Sequence, residues 1–279
     1  MKLTVLVDNN TLIDRYLVGE PGVSFFIEEG GQNILFDVGY SDAFLRNGAI
    51  LGVDFFDIDF LCLSHSHLDH TWGLEPLIKT FTAELFEGRP FKKPTLIAHP
   101  AVFDSKTFTG IDEFGINVSR DKLLKYCNDG LDKTPVWITE HLVFLGEIPR
   151  ENDFECQEGI GKVLRDGELV EDFNIDDSAL CYKSEKGLVI ITGCSHAGIC
   201  NMIEYAKKVC NDQRVFDVIG GLHLQNPPQR QLSKTVAYFE ALDMEKIHAS
   251  HCTDLKSKIA FSKVVEVEEV GSGTILRYE

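Results

Sequence analysis

An α/β fold is predicted by three features of the chain. Short apolar runs alternate with stretches of helical period, two pairs of such runs face each other across Gly-containing turns, and Phe60-Leu61-Cys62-Leu63 is apolar at every position. The last pattern is that of a strand covered on both faces. In chain order, residues 3 to 7 form a strand. Ser24 to Glu28 and Asn33 to Asp37 form a hairpin around Gly30-Gly31, because paired glycines suit the positive φ angles of a tight turn. A helix follows from Asp42 to about Leu51, then the strand Phe60 to Leu63, a polar loop, a helix from about Asp69 to Phe81, and a strand at Thr95 to Ala98. Residues 103 to 177 carry only short β-like runs, Val136 to Thr139 and Leu142 to Leu145, among Gly, Asn and acidic residues. Regular patterning resumes with a second hairpin, Ala179 to Tyr182 and Leu188 to Ile191. Helices at Ala197 to Cys210, Gln231 to Leu242 and Lys256 to Ser262 alternate with strands at Val215 to Ile219 and Lys246 to Ala249. A C-terminal strand pair is expected across Gly271-Ser272-Gly273.

The composition sets limits. The 279 residues, 44% hydrophobic and 25% charged, suffice for a large core and exclude a disordered chain. A net charge of −17 argues against nucleic acid or anionic lipid as a partner, because Lys and Arg dominate phosphate binding. No apolar run approaches the ~18 residues needed to span a bilayer. The N-terminus enters a strand without a secretory leader, so a cytoplasmic location is expected. The eight cysteines form no Cys-x-x-Cys pair and read mostly as reduced structural thiols, with Cys194 and Cys252 set apart by their His neighbours. Residues 147 to 177 hold 11 acidic and 3 basic side chains, close to half of the net charge. The chain is therefore read as one domain, 1–279, in which residues 100–178 form an insertion or lid region with an exposed acidic stretch.

Chemistry concentrates in Ser64-His65-Ser66-His67-Leu68-Asp69-His70, directly after the buried strand. Imidazole is the commonest metal ligand, and two His one residue apart on extended backbone share a face. Asp69 and His70, at the start of a helix, can serve a second ion. Further candidates are Cys194 and His196 in Gly193-Cys194-Ser195-His196-Ala197-Gly198, and His251 before Cys252. His223 follows a Gly-Gly pair and reads either as a residue facing substrate or metal or as a satisfied buried His. His99, His141 and His248 read as structural, while Asp8 and Asn9 either brace the site or cap a turn. No phosphate-binding Gly loop and no Gly-x-Ser-x-Gly nucleophile turn is present.

The string His-x-His-x-Asp-His after a buried strand resembles the signature of the metallo-β-lactamase superfamily. Asp37-Val38-Gly39, Thr192-Gly193-Cys194 and Ser250-His251-Cys252 match its other short motifs. The resemblance implies an αββα sandwich of two mixed sheets with metal at their shared edge: His65 and His67 on one ion, and Asp69, His70 and His251 on another. Where that family carries a bridging Asp this chain has Cys194, so His196 is the preferred remaining ligand and Cys194 its competitor. Glu147 is a weaker ligand candidate. Asp37 is expected to fix a ligand His by hydrogen bonding. The implied cofactor is one or two divalent ions, Zn²⁺ first, with Mn, Fe or Mg as alternatives.

Four strings, Leu6-Val7-Asp8-Asn9, Gly193 to Gly198, Gly220-Gly221-Leu222-His223-Leu224 and His251-Cys252-Thr253, are similar to a narrower group. It contains the dihydropterin-methyl-ribofuranosylaminobenzene phosphate synthases and related metal-dependent hydrolases. The expected function is metal-assisted hydrolysis of a small anionic, phosphorylated substrate, with Asp69 and His223 as its catalytic side chains. The alternatives are a transferase that joins a dihydropterin-methyl group to a ribofuranosylaminobenzene phosphate with release of diphosphate, and a metal-binding or redox protein without turnover.

Overall fold

Three separate layers of apolar side chains organise the chain. The computed structural model describes residues 1–165 and 167–279. It contains two seven-stranded mixed sheets. Ile275–Arg277, Lys2–Val7, Ser24–Glu29, Gln32–Phe36, Phe60–Cys62, Thr95–Ile97 and Asn128–Asp129 lie side by side in the first. Glu266–Val267, Lys246–Ser250, Val215–Gly221, Gly187–Thr192, Ala179–Ser184, Leu142–Phe144 and Val136–Trp137 make the second.

Alternate residues of each strand feed different layers. Leu3, Val5, Phe25, Ile34 and Phe36 of the first sheet meet Phe144, Leu180, Val189 and Ile191 of the second in a central layer. The other faces, carrying Leu6, Leu35 and Leu61 or Cys181, Leu188 and Ile190, pack under helices. Helices Ala43–Leu51 and Leu74–Phe86 cover the first sheet, and Ile199–Cys210, Gln229–Leu242 and Leu255–Phe261 cover the second. This is the αββα sandwich expected above. It explains why the strands read as continuous apolar runs, since both faces are buried.

The Gly30-Gly31 turn has φ of 57° and 78°, as a two-residue hairpin with the sheet's twist requires. Three expectations change. The helix expected from Asp69 to Phe81 is two helices, Leu68–Thr71 and Leu74–Phe86. They divide because the backbone there pairs elsewhere: the Gly73 N–H donates to the Gly39 carbonyl, and the His70 carbonyl accepts from the Val38 N–H. The approach is so close that a Cβ at Gly73 would strike the Val38 carbonyl. The second helix outlasts its apolar stripe: Phe81 is its last buried residue, while Leu85 and Phe86 are exposed. The two C-terminal strands do not pair with each other. Glu266–Val267 joins Lys246–Ser250 in parallel, whereas Ile275–Arg277 joins Lys2–Val7 antiparallel, so the last ten residues cross from one sheet to the other.

Residues 100–178 supply edge strands to both sheets and a separate three-stranded sheet, Lys106–Thr107, Lys162–Arg165 and Glu168–Glu171. The acidic stretch within it is not uniformly solvated. Glu168–Glu171 is exposed throughout, but Glu155, Asp172, Asp176 and Asp177 are buried. Glu155 accepts from the backbone N–H groups of Cys200 and Asn201, the first turn of Ile199–Cys210, where unpaired donors favour a carboxylate.

Candidate metal centre

Strand ends and tight loops converge at one edge of the sandwich. The loop after Phe60–Cys62 brings His65, His67, Asp69 and His70. The loop after Gly187–Thr192 brings Cys194 and His196, the end of Val215–Gly221 brings His223, and the end of Lys246–Ser250 brings His251. Ligands in mixed α/β sheets bind outside the carboxyl ends of the strands, and these side chains sit at such ends.

The loops are unusually close. Gly193 is squeezed against the Ser64 hydroxyl and the Asp37 carboxylate, and Gly221 against the Gly193 carbonyl, the Cys252 thiol and the His251 ring. A side chain at either glycine would push the loops apart. Asp37, Asn174, Ser195, His223 and His251 all have φ between 48° and 61°, the left-handed region that non-glycine residues rarely adopt. Such strain gathers where surrounding contacts fix a functional geometry.

Two groups of donor atoms result, His65, Cys194 and His196, and His70, Cys194 and His251, with the atoms of each within 4.8 Å of one another. His65 Nε2 lies 3.2 Å from His196 Nε2, and His70 Nε2 lies 3.3 Å from both His251 Nε2 and Cys194 Sγ. His196 and Cys194, which the sequence offered as competitors, thus stand in one cluster. Asp69 and His67 stand beside these groups and belong to neither. Asp69 Oδ2 is 3.3 Å from His251 Nε2 and 3.7 Å from His70 Nε2. The His67 ring is 4.6 Å from those of both His65 and His196, and the His223 ring is 4.3 Å from that of His196. Six of the nine histidines therefore share one site.

The donor set fits divalent ions. Imidazole nitrogens of separate loops point at one another, and the far nitrogens of three of the rings are held from behind. His70 Nδ1 meets Asp37 Oδ2 at 2.8 Å, His65 Nδ1 meets Ser64 Oγ at 2.9 Å, and His251 Nδ1 meets Asn9 Oδ1 at 3.0 Å. Such partners fix the tautomer and aim the other nitrogen at a metal. Asp37 thus bonds His70, one of the candidate ligands. Asp8 and Asn9 fill both roles read for them: Asp8 accepts from the His251 N–H with one oxygen and from the Asn10 N–H with the other. Glu147 is not drawn in, because it pairs with His99 Nε2 at 3.1 Å, half-exposed and in neither donor group. His248 meets Asp217 away from the site, and His141 is exposed.

Electrostatics divides the histidines. Burial pushes His65, His67 and His196 well below the ordinary imidazole range, reinforced by the neighbouring histidines, so these rings are neutral and able to bind metal. Burial works against charge on His70 too, but Asp69 and Asp37 outweigh it and hold that ring up to about 9. Burial likewise opposes ionisation of Asp69, yet His70 and His251 hold its carboxyl down to about 2.

The sequence did not reveal the support beneath His67. Asn174 Nδ2 lies 2.8 Å from His67 Nε2, Asp176 accepts from the Ser66 N–H at 2.9 Å, and Asp177 accepts from the Ala197 N–H at 2.7 Å. A side-chain amide can turn either its nitrogen or its oxygen to the ring. With the oxygen facing, Nε2 keeps its proton and Nδ1 is free for a metal. Asn174→Ala is therefore expected to weaken metal binding about 10- to 100-fold in a chelator competition titration. Asn174→Gly should lose as much affinity with less loss of stability, since glycine accepts this residue's φ of 49° without strain. Unchanged affinity in both would exclude this support.

Beside the centre lies a cavity of about 360 Å³. It is lined by His196, His223 and Asn174, by Phe154, Ile160 and Phe173 of the acidic stretch, and by Arg230.

Known proteins resemble the chain in sequence and in fold. The family model described as the metallo-beta-lactamase superfamily matches residues 17–200. The 7,8-dihydropterin-6-methyl-4-(beta-D-ribofuranosyl)-aminobenzene-5'-phosphate synthase of Methanocaldococcus jannaschii is 31% identical, the match covering 100% of this chain and 97% of that protein. An uncharacterized protein of the same organism is 32% identical over 94% of each chain. The crystal structure of Tm1679, described as a metal-dependent hydrolase of the beta-lactamase superfamily, superposes with a TM-score of 0.83 at 26% identity, covering 100% of this chain and 99% of that one. By its matched segment and by relatives that align along almost its whole length, the chain belongs to the metallo-beta-lactamase superfamily.

Proposed function

We propose that the protein is a metal-dependent hydrolase that acts on a small phosphorylated substrate at a centre of two divalent ions, Zn²⁺ first among them. One observation carries the reading: two donor groups with neutral or carboxylate-paired imidazoles stand together, and His196 of the first lines a cavity of about 360 Å³. In this reading His65, His67 and His196 hold one ion, and Asp69, His70 and His251 the other. When bound, such ions polarise a phosphoryl oxygen and bring the pKa of a bound water down to roughly 7.

The chain's own side chains supply the rest. Asp69, held ionised, accepts a hydrogen bond from the attacking water and orients it. His223, whose charged form is opposed by burial but favoured more strongly by Cys252, donates to a substrate oxygen in the cavity. Phe154 and Phe173 give an apolar wall to whatever group carries the phosphate. Although the chain carries −17, the ions would make this spot cationic, which suits a small anion. Among the described residues no helix is long and apolar enough to cross a membrane, and all eight cysteines are free, in keeping with a reducing cytoplasmic setting.

Metal-loaded protein is expected to release phosphate from members of a phosphomonoester, phosphodiester and diphosphate panel, and His67→Ala to abolish that release. A metal-loaded protein inert on phosphoester, thioester and lactone panels would overturn hydrolysis. The likeness to the M. jannaschii synthase favours a second reading, transfer of a dihydropterin-methyl group to a ribofuranosylaminobenzene phosphate. Diphosphate release that requires the aromatic cosubstrate would select it.

A further inference from the structure

The two donor groups are not independent, because Cys194 Sγ belongs to both. We infer that Cys194 is a shared thiolate ligand that joins the two metal positions. This inference rests on the metal-centre reading and specifies how its halves are linked.

The thiol is buried between two facing imidazole pairs, His65 with His196 and His70 with His251. Its sulfur is 3.3 Å from His70 Nε2, and its donor-group distances to His65 and His196 on the other side stay within 4.8 Å. The backbone fixes this place. Gly193 before it is wedged against Ser64 and Asp37, and Ser195 after it holds a φ of 61° with its hydroxyl donating to the Gly221 carbonyl at 2.7 Å. A residue clamped from both sides in this way holds its sulfur in a set position.

The chemistry fits. Zn²⁺ and Co²⁺ accept thiolate and imidazole in one shell, and thiolate sulfur has lone pairs enough for two metals. Metal entry displaces the thiol proton to solvent, as coordination of a thiol generally does. With Asp69 as the other anion, two divalent ions keep a net positive charge, so a shared thiolate leaves the site able to attract an anionic substrate. Cys252 is not an equivalent candidate. Its sulfur donates to the Cys194 carbonyl at 3.4 Å and accepts from the His223 N–H at 3.2 Å, and it belongs to neither donor group.

Cobalt(II) substitution reads the thiolate directly, through sulfur-to-cobalt charge-transfer absorption in the near ultraviolet. Wild-type protein titrated with Co²⁺ is expected to bind about two equivalents and show this band. His196→Ala and His251→Ala, each disabling one position, should bind about one equivalent and both keep the band, since a shared ligand serves whichever position remains. Cys194→Ser should lose the band, and Cys252→Ala should keep it. Cobalt bound by wild type without the band overturns the inference even if no variant folds. Loss of the band in only one His variant would reduce Cys194 to a ligand of a single ion and also overturn it. Failure of wild type to bind cobalt at all would instead remove the metal-centre reading beneath it.

Discussion

Asp37→Ala is expected to cost about 3–5 kcal/mol of stability and to weaken metal binding 10- to 100-fold, although Asp37 belongs to neither donor group. Its carboxylate is fully buried and accepts three donors: the Ser64 N–H at 2.7 Å, the Ser64 hydroxyl at 2.6 Å and His70 Nδ1 at 2.8 Å. Each buried donor left without a partner costs about 1–3 kcal/mol. The hydroxyl can turn elsewhere, but the other two cannot. Alanine also inherits a φ of 55°, which adds about 1–2 kcal/mol of backbone strain. For a chain of this size the melting temperature should fall by about 10 °C. The metal effect has a separate origin, because without Asp37 the His70 ring is free to rotate its Nε2 away from Cys194 and His251. Asp37→Asn keeps one acceptor and tolerates the backbone angle, so it should retain most stability yet lose part of the metal affinity. Thermal unfolding with and without metal, beside a chelator competition, separates the two effects. An Asp37→Ala protein with unchanged melting temperature and affinity would show that His70 is positioned by something else.

What the sequence disclosed follows from where each cause lies. The His65 to His70 string was legible because four side chains of one chemistry lie within six residues of a buried strand. The central strands were legible because a sandwich covers both their faces. The break at Gly73 was not, since its cause is backbone pairing with Val38 and Gly39, more than thirty positions earlier in the chain. Asn128–Asp129 joins the first sheet through backbone pairing alone and carries no apolar side chain to announce it. Cys194 and His196 read as rivals because one role was expected to fall to one chain position; in space their donor atoms belong to the same group. The acidic stretch misled most. Eleven carboxylates in a row of loops read as solvated charge, but Asp172, Asn174, Asp176 and Asp177 turn inward beneath the His loop. The clue was the place of Asp176-Asp177, two residues before a strand apolar on both faces, and their counter-charge lies seventy positions away.

That counter-charge makes Lys106→Met the second large expected effect. Lys106 is buried with its Nζ 2.6 Å from Asp176 Oδ1 and 3.0 Å from Asp172 Oδ2. Asp176 accepts from the Ser66 N–H between two candidate metal ligands, and Asp172 accepts from the N–H of Asn174, which meets His67. One ammonium thus supports the backbone on which the His loop rests. Methionine fills a similar volume but leaves two carboxylates buried without a cation, and such breakage costs about 3–5 kcal/mol. The pH dependence gives the cause a signature. Burial opposes ionisation of Asp176, but Lys106 outweighs it and holds the carboxyl below its ordinary range. In the native protein this contribution is therefore present above the unfolded value, about 4, and lost as pH falls through the folded one. In the variant burial prevails, the carboxyl is pushed up, and stability is lost as pH rises above about 4. The gap between the two proteins should widen from mildly acid to neutral pH. Chemical denaturation of both across that range measures it; a constant gap would assign the loss to packing instead of charge. Asp172→Asn and Asp176→Asn combined with Lys106→Met remove the stranded charges and should recover part of the stability. If the recovered protein still binds metal weakly, the ion cluster sets the geometry of the His loop as well as its stability.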